Sequence, residues 1–153
     1  MFVTRETDYA VRCVLFLCGR GEGLVSVGEI AEGMGIPPKF LAKILQRLVR
    51  AGLLSSSRGA HGGFRLLHPP AAISLLQVIE AIQGPSAANR CAIDAACCER
   101  SSHCPIHPLW VEIRQLVEQR LAQETFEVLL ARNRQALPGA APPPPTTVAA
   151  PED

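Results

Sequence analysis

The length, composition and charge of the chain restrict its class. Its 153 residues are 48% hydrophobic and 19% charged, with a formal net charge of +1, which is typical of a soluble globular protein with one core. No apolar run approaches the roughly 18 residues that a membrane span requires, and charged residues near the start, such as Arg5 and Glu6, argue against a secretory signal. We therefore expect a cytoplasmic protein without membrane contact, whose thiols stay reduced.

Helical spacing of apolar residues predicts three helices in the amino-terminal third of the chain. The first covers about 4–20. Ser26 followed by Glu29 is a capping box that opens a short second helix. The third covers about 37–51 and begins at two prolines, which suit a first helical turn. Its predicted buried stripe comprises Phe40, Leu41, Ile44, Leu45 and Leu48.

Positive charge is concentrated in one segment of this nearly neutral chain. From Gly33 to Ile79 there is no Asp or Glu, whereas the same segment contains six cations. These cations are Lys39, Lys43, Arg47, Arg50, Arg58 and Arg65. The first four fall on the side of the third helix opposite its apolar stripe. A short helix, a break and a helix with a cationic outer face predict a helix-turn-helix that binds double-stranded DNA.

A glycine-rich turn between two strand-capable segments follows the third helix. The segments cover 53–57 and 64–67, and together they predict a β-hairpin. A hairpin directly after a recognition helix is a wing, and its flexible backbone can approach a DNA groove closely. The residues expected at DNA are Lys39, Lys43, Arg47 and Arg50 on the helix, and Arg58, Gly59, Gly62 and Gly63 in the wing.

The carboxy-terminal half predicts a loop, a long helix and a tail. A brief helix over 74–82 precedes an aperiodic, cysteine-rich segment. The helical pattern then returns with a spare apolar face, which predicts pairing with a second copy in a homodimer. The expected organisation is mainly α with a small β-hairpin wing: a winged helix-turn-helix over 1–84, a cysteine-rich loop over 85–107, a dimerisation helix over 108–131 and a disordered Pro/Ala-rich tail over 132–153.

The cysteine-rich loop contains five soft metal ligands within 17 residues, namely Cys91, Cys97, Cys98, Cys104 and His107. Three thiolates and an imidazole can complete a Cys₃His site for zinc or an iron–sulfur cluster. The loop lacks the two Cys-x2-Cys pairs of a zinc finger, so its wider intervals favour an iron–sulfur cluster. Structural zinc and a metal-free thiol switch are the alternatives.

With these residues assembled, the chain resembles the IscR/NsrR family of regulators, also called the Rrf-two family. The motifs that carry the resemblance are Thr7-Asp8-Tyr9-Ala10, Ala51-Gly52-Leu53-Leu54-Ser55-Ser56, Arg58-Gly59 through Gly62-Gly63-Phe64, Ile73-Ser74-Leu75-Leu76, Ile79 to Gly84, and Cys104-Pro105-Ile106-His107-Pro108-Leu109-Trp110. The resemblance covers about residues 1–131. It implies a homodimer of two winged helices, joined through the long helix, that binds a partly palindromic promoter site and carries a [2Fe–2S] or [4Fe–4S] cluster.

The resemblance also implies cluster ligands. Cys104 and His107 match the IscR-type positions, and Cys98 keeps the Cys-x5-Cys interval to Cys104. Cys91 is then the first ligand, although its interval to Cys98 is one residue longer than expected and the interval to Cys97 fits. Cys97 is therefore the alternative to Cys98, which we favour.

The fourth ligand has two candidates. NsrR-type members resemble this chain at Asp8, where a carboxylate from the partner subunit can complete a [4Fe–4S] site. His107 favours the IscR-like [2Fe–2S] arrangement, because the motif matches on both sides of it. The recognition helix departs from IscR, since Lys39, Ala42 and Lys43 stand where IscR has polar Ser, Glu and Gln, so the target sequence does not carry over.

We therefore expect a DNA-binding transcriptional regulator that senses redox, iron–sulfur or nitric oxide status through a cluster in its cysteine loop. Two other function classes compete with this prediction. One is a winged helix that contacts protein and not DNA, as an adaptor. The other is an enzyme, which we do not expect, because outside the cysteine loop there is no nucleotide motif, Ser–His–acid set or pair of carboxylates in a predicted cleft.

Overall fold

The computed structural model describes residues 3–59, 61–85 and 87–136. The helices are α1 (Arg5–Cys18), α2 (Val27–Met34), α3 (Pro38–Arg50), α4 (Leu75–Gln83), α5 (His107–Gln123) and α6 (Phe126–Ala136), and the strands are β1 (Leu54–Ser57) and β2 (Gly63–Leu66). Short 3₁₀ turns cover Pro70–Ala72, Arg90–Ala92 and Ala95–Cys97. The predicted mainly α fold with a small hairpin is confirmed.

The three amino-terminal helices form as the local sequence predicts. Thr4 caps α1 by accepting a hydrogen bond from the Thr7 backbone N–H at 3.2 Å. Ser26 and Glu29 form both hydrogen bonds of the capping box at α2. The helices pack on one apolar core whose fully buried members include Val14, Ile30, Leu41, Leu45 and Leu48.

One core prediction is wrong. Phe40, expected in the buried stripe of α3, is 42% exposed, whereas Leu41, Ile44, Leu45 and Leu48 are fully buried. The buried residues centre on one side of the helix, and Phe40 lies at the edge of that side. Its ring instead meets Tyr9 edge to face, with centroids 6.0 Å apart and an angle of 87° between the planes.

The wing is an antiparallel hairpin that a third segment extends. Leu54 pairs with Leu66 and Ser57 with Gly63. Val25, which precedes α2, exchanges two backbone hydrogen bonds with Phe64, of 2.9 and 2.8 Å. Gly63 is required at this crossing, because a Cβ there would lie 2.5 Å from the Val25 carbonyl oxygen.

The long carboxy-terminal helix predicted over 108–131 is wrong as a single element. It divides into α5 and α6 at Glu124 and Thr125, where the chain pairs with the segment before α4. The Leu75 N–H donates to the Glu124 carbonyl at 2.8 Å, and the Phe126 N–H donates to the Ile73 carbonyl at 2.9 Å. These bonds turn the backbone and place the Phe126 ring, with no exposed surface, in the core.

The two sides of this break differ in burial. α6 packs on α1 through Phe126 and Leu129. Of α5, all of which is described, no side chain is fully buried, and Leu109 and Leu116 are 48% and 59% exposed. The chain therefore leaves apolar surface on α5 uncovered, and homodimerisation through it stays a prediction.

Part of the segment predicted as a tail is helical. Residues 132–136, expected to begin the disordered tail, belong to α6, and the rest of that tail lies outside the described residues. Across the part of the chain that the structure describes, no helix combines the length and hydropathy needed to cross a membrane.

Candidate nucleic-acid interface and cysteine loop

The outer face of α3 carries the exposed cations Lys39, Lys43 and Arg50. None of the three forms an ion pair with any described residue. Lys39 and Lys43 border an open depression of about 410 Å³, whose other lining residues are Arg5, Tyr9, Pro37 and Phe40. This depression concentrates positive charge beside the first turns of α3, which suits a polyanion.

Arg47, expected to share this face, has internal partners instead. Its Nη1 lies 3.0 Å from Oε2 of Glu6 in α1, and its Nη2 donates to the carbonyl oxygen of Ile82 in α4. Arg47 therefore joins α3 to two neighbouring helices. Its predicted phosphate contact stays a prediction, and one that would require these bonds to be shared or broken.

The wing presents Arg58 and Gly59 to solvent at its tip. Gly59 has a φ of +112°, a conformation that glycine adopts without strain. The Gly62 N–H donates to the Gly59 carbonyl at 2.9 Å, and a Cβ on Gly62 would lie 2.4 Å from the Ser57 carbonyl oxygen. Gly63 is buried. Gly62 and Gly63 therefore shape the wing, and Arg58 presents an exposed cationic side chain at its tip.

Two residues beside the recognition helix were missed by the sequence analysis. Arg5 and Tyr9 line the depression next to Lys39 and Lys43. Their spacing of four residues on α1 places them on the same helix face, which is the signal that could have identified them. Only the packing of α1 against α3 shows that this face adjoins the recognition helix.

The cysteine loop brings four thiols into one neighbourhood. Cys91 is buried in the turn Arg90–Ala92, Cys97 is exposed, and Cys98 and Cys104 are half-buried. All of these cysteines are free. Burial raises the pKa of Cys91, and the charges of Cys98, Cys97 and Cys104 raise it further. The thiols are thus close enough to interact electrostatically, although no three His, Cys, Asp or Glu side chains among the described residues are arranged as a metal site.

His107 begins α5 directly after this loop. Its backbone N–H donates to the Cys104 carbonyl at 3.2 Å, which fixes the two residues one turn apart. Its Nδ1 is buried without a hydrogen-bond partner among the described residues. Burying an imidazole nitrogen without a hydrogen bond costs free energy of folding. By residue type, this nitrogen and the thiols of the loop are donors that suit an iron–sulfur cluster or zinc.

Arg114 links the cysteine loop to α5, and the sequence analysis did not identify it. Its Nη1 donates to the carbonyl of Ala92 at 2.8 Å, next to Cys91. Its Nε lies 2.7 Å from Oε1 of Glu118, one turn further along α5. Arg114 therefore joins the backbone next to Cys91 to the helix that follows the loop.

The remaining candidates lie elsewhere. Asp8 is half-exposed on α1, where it pairs with Arg12 at 2.9 Å. Cys13 is buried in the core, and burial raises its pKa from the usual 9.0 to about 12. Burial raises the pKa of Cys18 to about 11. Cys13 and Cys18 therefore act as apolar packing groups.

The fold and the basic α3–wing surface define a winged-helix transcriptional regulator. The sequence profile of the Rrf2 family, described as "Iron-dependent Transcriptional regulator", matches residues 3–132. The chain belongs to this family. The predicted family is thereby confirmed, and with it the prediction that the protein is a regulator and not an enzyme. Membership in a family of transcriptional regulators implies DNA binding.

Curated relatives match over different lengths. The protein rrf2 of Nitratidesulfovibrio vulgaris is 31% identical over 131 residues, which are 85% of this chain and 87% of that protein. The protein aau3 of Rhizobium meliloti is 41% identical over 91 residues, but the match spans only 60% of this chain and 59% of that relative.

Solved structures of two kinds resemble the fold. IscR of T. potens has a TM-score of 0.71 and 26% identity, covering 89% of this chain and 90% of its own. CymR of B. subtilis, described as its global cysteine regulator, has a TM-score of 0.70 and 28% identity, covering 86% of this chain and 98% of its own. The winged-helix architecture is thereby confirmed.

Proposed function

We propose that the chain binds a promoter site in double-stranded DNA as a homodimer. The first turns of α3 would enter the major groove with Lys39 and Lys43, while Arg50 contacts phosphate and Arg58 at the tip of the wing approaches the minor groove. The exposure of these four cations and the absence of acidic residues from Gly33 to Ile79 support this surface. The apolar residues left uncovered on α5 support pairing of two copies.

We further propose that the cysteine loop senses redox, iron–sulfur or nitric oxide status through a bound cluster. The residues that would hold it are Cys91, Cys98, Cys104 and His107, with [2Fe–2S] favoured over [4Fe–4S]. When bound, the cluster supplies a centre whose integrity depends on iron, oxidants and nitric oxide. The observation that carries this proposal is the buried Nδ1 of His107, which has no hydrogen-bond partner among the described residues and follows directly on a loop with four free thiols.

The chain's own residues provide a route from this loop to the DNA-binding surface. The hydrogen bond from Arg114 to the Ala92 carbonyl fixes α5 relative to Cys91. If α5 pairs two copies, its tilt sets the distance between the two recognition helices. A loop held in one conformation therefore favours one spacing of the two recognition helices. Its effect is a population shift between two geometries of the dimer.

A second candidate is a cluster-free thiol sensor. It is favoured by the similarity to CymR and by the lack of a ready-formed metal site among the described residues. Here Cys97, the exposed thiol of the loop, would be the reactive group. Structural zinc is the remaining metal alternative.

Anaerobic purification of the full chain distinguishes these candidates. A cluster sensor is coloured, contains iron and inorganic sulfide, and loses its visible absorption in air together with a change in promoter affinity. Cys98→Ser should abolish the absorption, whereas the matched Cys97→Ser should retain it. A colourless protein with one zinc per chain, or with no metal at all, would refute the cluster.

The DNA-binding surface has its own test. The logarithm of duplex affinity should fall linearly with the logarithm of salt concentration, and Lys43→Gln and Arg58→Gln should each reduce the slope by about 0.9 for every phosphate that the variant no longer neutralises. Arg134→Gln is the matched control, because it removes the same charge from an exposed position of α6. No retention on duplex DNA at low salt would favour the adaptor.

A further inference from the structure

Phe40 is an aromatic side chain that the core does not use. It is 42% exposed and lies in the first turn of α3, two residues after Pro38. Tyr9 of α1 contacts the ring in a perpendicular arrangement, with centroids 6.0 Å apart. The ring is therefore oriented from one side and open on the other.

The surroundings of the open side restrict what can cover it. The exposed cations Lys39, Lys43 and Arg5 line the same depression. These cations would repel a basic protein surface, and a neutral lipid surface would offer them no counter-charge. A polyanion that also carries an apolar group is complementary to both the cations and the ring. In the major groove, DNA provides this combination as phosphates at the rim and the C5-methyl group of thymine on the floor.

We infer that Phe40 reads a thymine methyl group in the operator, with Tyr9 as a positioning residue behind it. This inference rests on the proposed DNA binding by α3. Residues in the leading turn of a recognition helix face base edges, and apolar side chains, phenylalanine among them, contact thymine through its methyl group. Phe40 then supplies sequence preference, while Lys39 and Lys43 in the same depression supply affinity through charge.

Removal of single methyl groups from the DNA tests this contact. An operator is first selected from a random duplex library with the full chain, and each thymine is then replaced in turn by deoxyuridine, which differs only by the methyl group. We expect replacement at one position of each half-site to weaken binding about fourfold, the effect of burying one methyl group. Replacements elsewhere should have little effect.

The protein variants link this effect to Phe40. Phe40→Ala should bind the thymine and deoxyuridine operators equally, while Phe40→Leu should keep part of the discrimination. Leu24→Ala is the matched control, because Leu24 has the same exposed fraction of 42% and lies outside α3. Tyr9→Ala should reduce the discrimination more than Tyr9→Phe, and thermal unfolding verifies that each variant is folded.

The outcomes separate this inference from the proposed function. A wild-type protein that binds its operator without a deoxyuridine effect, or Phe40→Ala that keeps the full effect, refutes the role of Phe40 and leaves DNA binding intact. Failure of the wild-type chain to bind any duplex refutes both.

Discussion

Replacement of Phe126 by alanine tests the division of the carboxy-terminal helix. The ring has no exposed surface and packs in the main core. Truncation of a buried phenylalanine to alanine costs about 3–5 kcal/mol, from reduced burial and the cavity that remains. At about 2–4 °C per kcal/mol for a chain of this size, the melting temperature should fall by roughly 6–20 °C.

Urea unfolding followed by circular dichroism measures the free energy of unfolding, and a thermal scan measures the melting temperature. Both are repeated at several protein concentrations, so that an effect on association is distinguished from an effect on folding. Phe126→Leu should lose about 1.5 kcal/mol or less, because it conserves most of the volume. The neighbouring exposed Glu127→Ala should stay within about 0.5 kcal/mol of wild type. If Phe126→Ala also stays within that range, the ring is outside the core and an uninterrupted helix is the better description.

Three further perturbations test other parts of the structure. Arg47→Met should lower the free energy of unfolding by about 1 kcal/mol, because it removes the partly exposed ion pair with Glu6 and the hydrogen bond to the Ile82 carbonyl. If the variant instead shows a weaker salt dependence of DNA binding, Arg47 contacts phosphate. Between pH 9.0 and about 12 the folded state retains the proton of Cys13 that the unfolded state loses. The free energy of unfolding should therefore fall by about 1.4 kcal/mol per pH unit over this range. Cys13→Ala should show a shallower decline of the free energy of unfolding with pH. Burial raises the pKa of Glu124, but the hydrogen bonds from Arg120 and Arg132 outweigh this effect, so the pKa lies below the usual 4.5. Glu124→Gln should therefore be less stable than wild type at pH 7. The urea midpoints of the two proteins should converge as the pH falls below 4.5.

Features specified by neighbours in the chain were predictable from sequence. The capping box at Ser26 and Glu29 is one, since both hydrogen bonds join residues three positions apart. The hairpin after α3 is another, because its turn requires glycine. The basic character of the interface was equally visible, since it depends on which charges are present and not on their partners.

The orientation of residues at the edge of a helix face was not predictable in the same way. At 100° per residue, Phe40 projects only about 20° from Arg47 and about 100° from Leu41. Hydrophobicity assigned Phe40 to the core and charge assigned Arg47 to the surface. The packing of α1 and α4 changes both, because Glu6 and the Ile82 carbonyl provide partners for a half-buried Arg47, while Tyr9 supports Phe40 outside the core.

The break at Glu124 and Thr125 depends on a contact across fifty residues. Neither residue is a glycine or proline, and the local signal for the break is limited to Thr125, whose hydroxyl accepts a hydrogen bond from the Val128 N–H at 3.3 Å as an N-cap of α6. The backbone pairing with Ile73 and Leu75 and the burial of Phe126 outweigh the helical preference of the segment. The donor set of the cysteine loop could be predicted from residue types, whereas its link to α5 through Arg114 required the fold.

The pairing of Thr125 with Ser74 also means that the DNA-reading unit is not a detachable module. A fragment ending at residue 84 would leave the pocket for the Phe126 ring empty and the backbone of Ile73 and Leu75 without its acceptors and donors. The carboxy-terminal end of α5 is hydrogen-bonded to the segment that begins α4, so that α5 is tied to the same body that carries α3. A displacement of the backbone near Cys91 would then act on a helix that is tied at its other end to the DNA-reading unit.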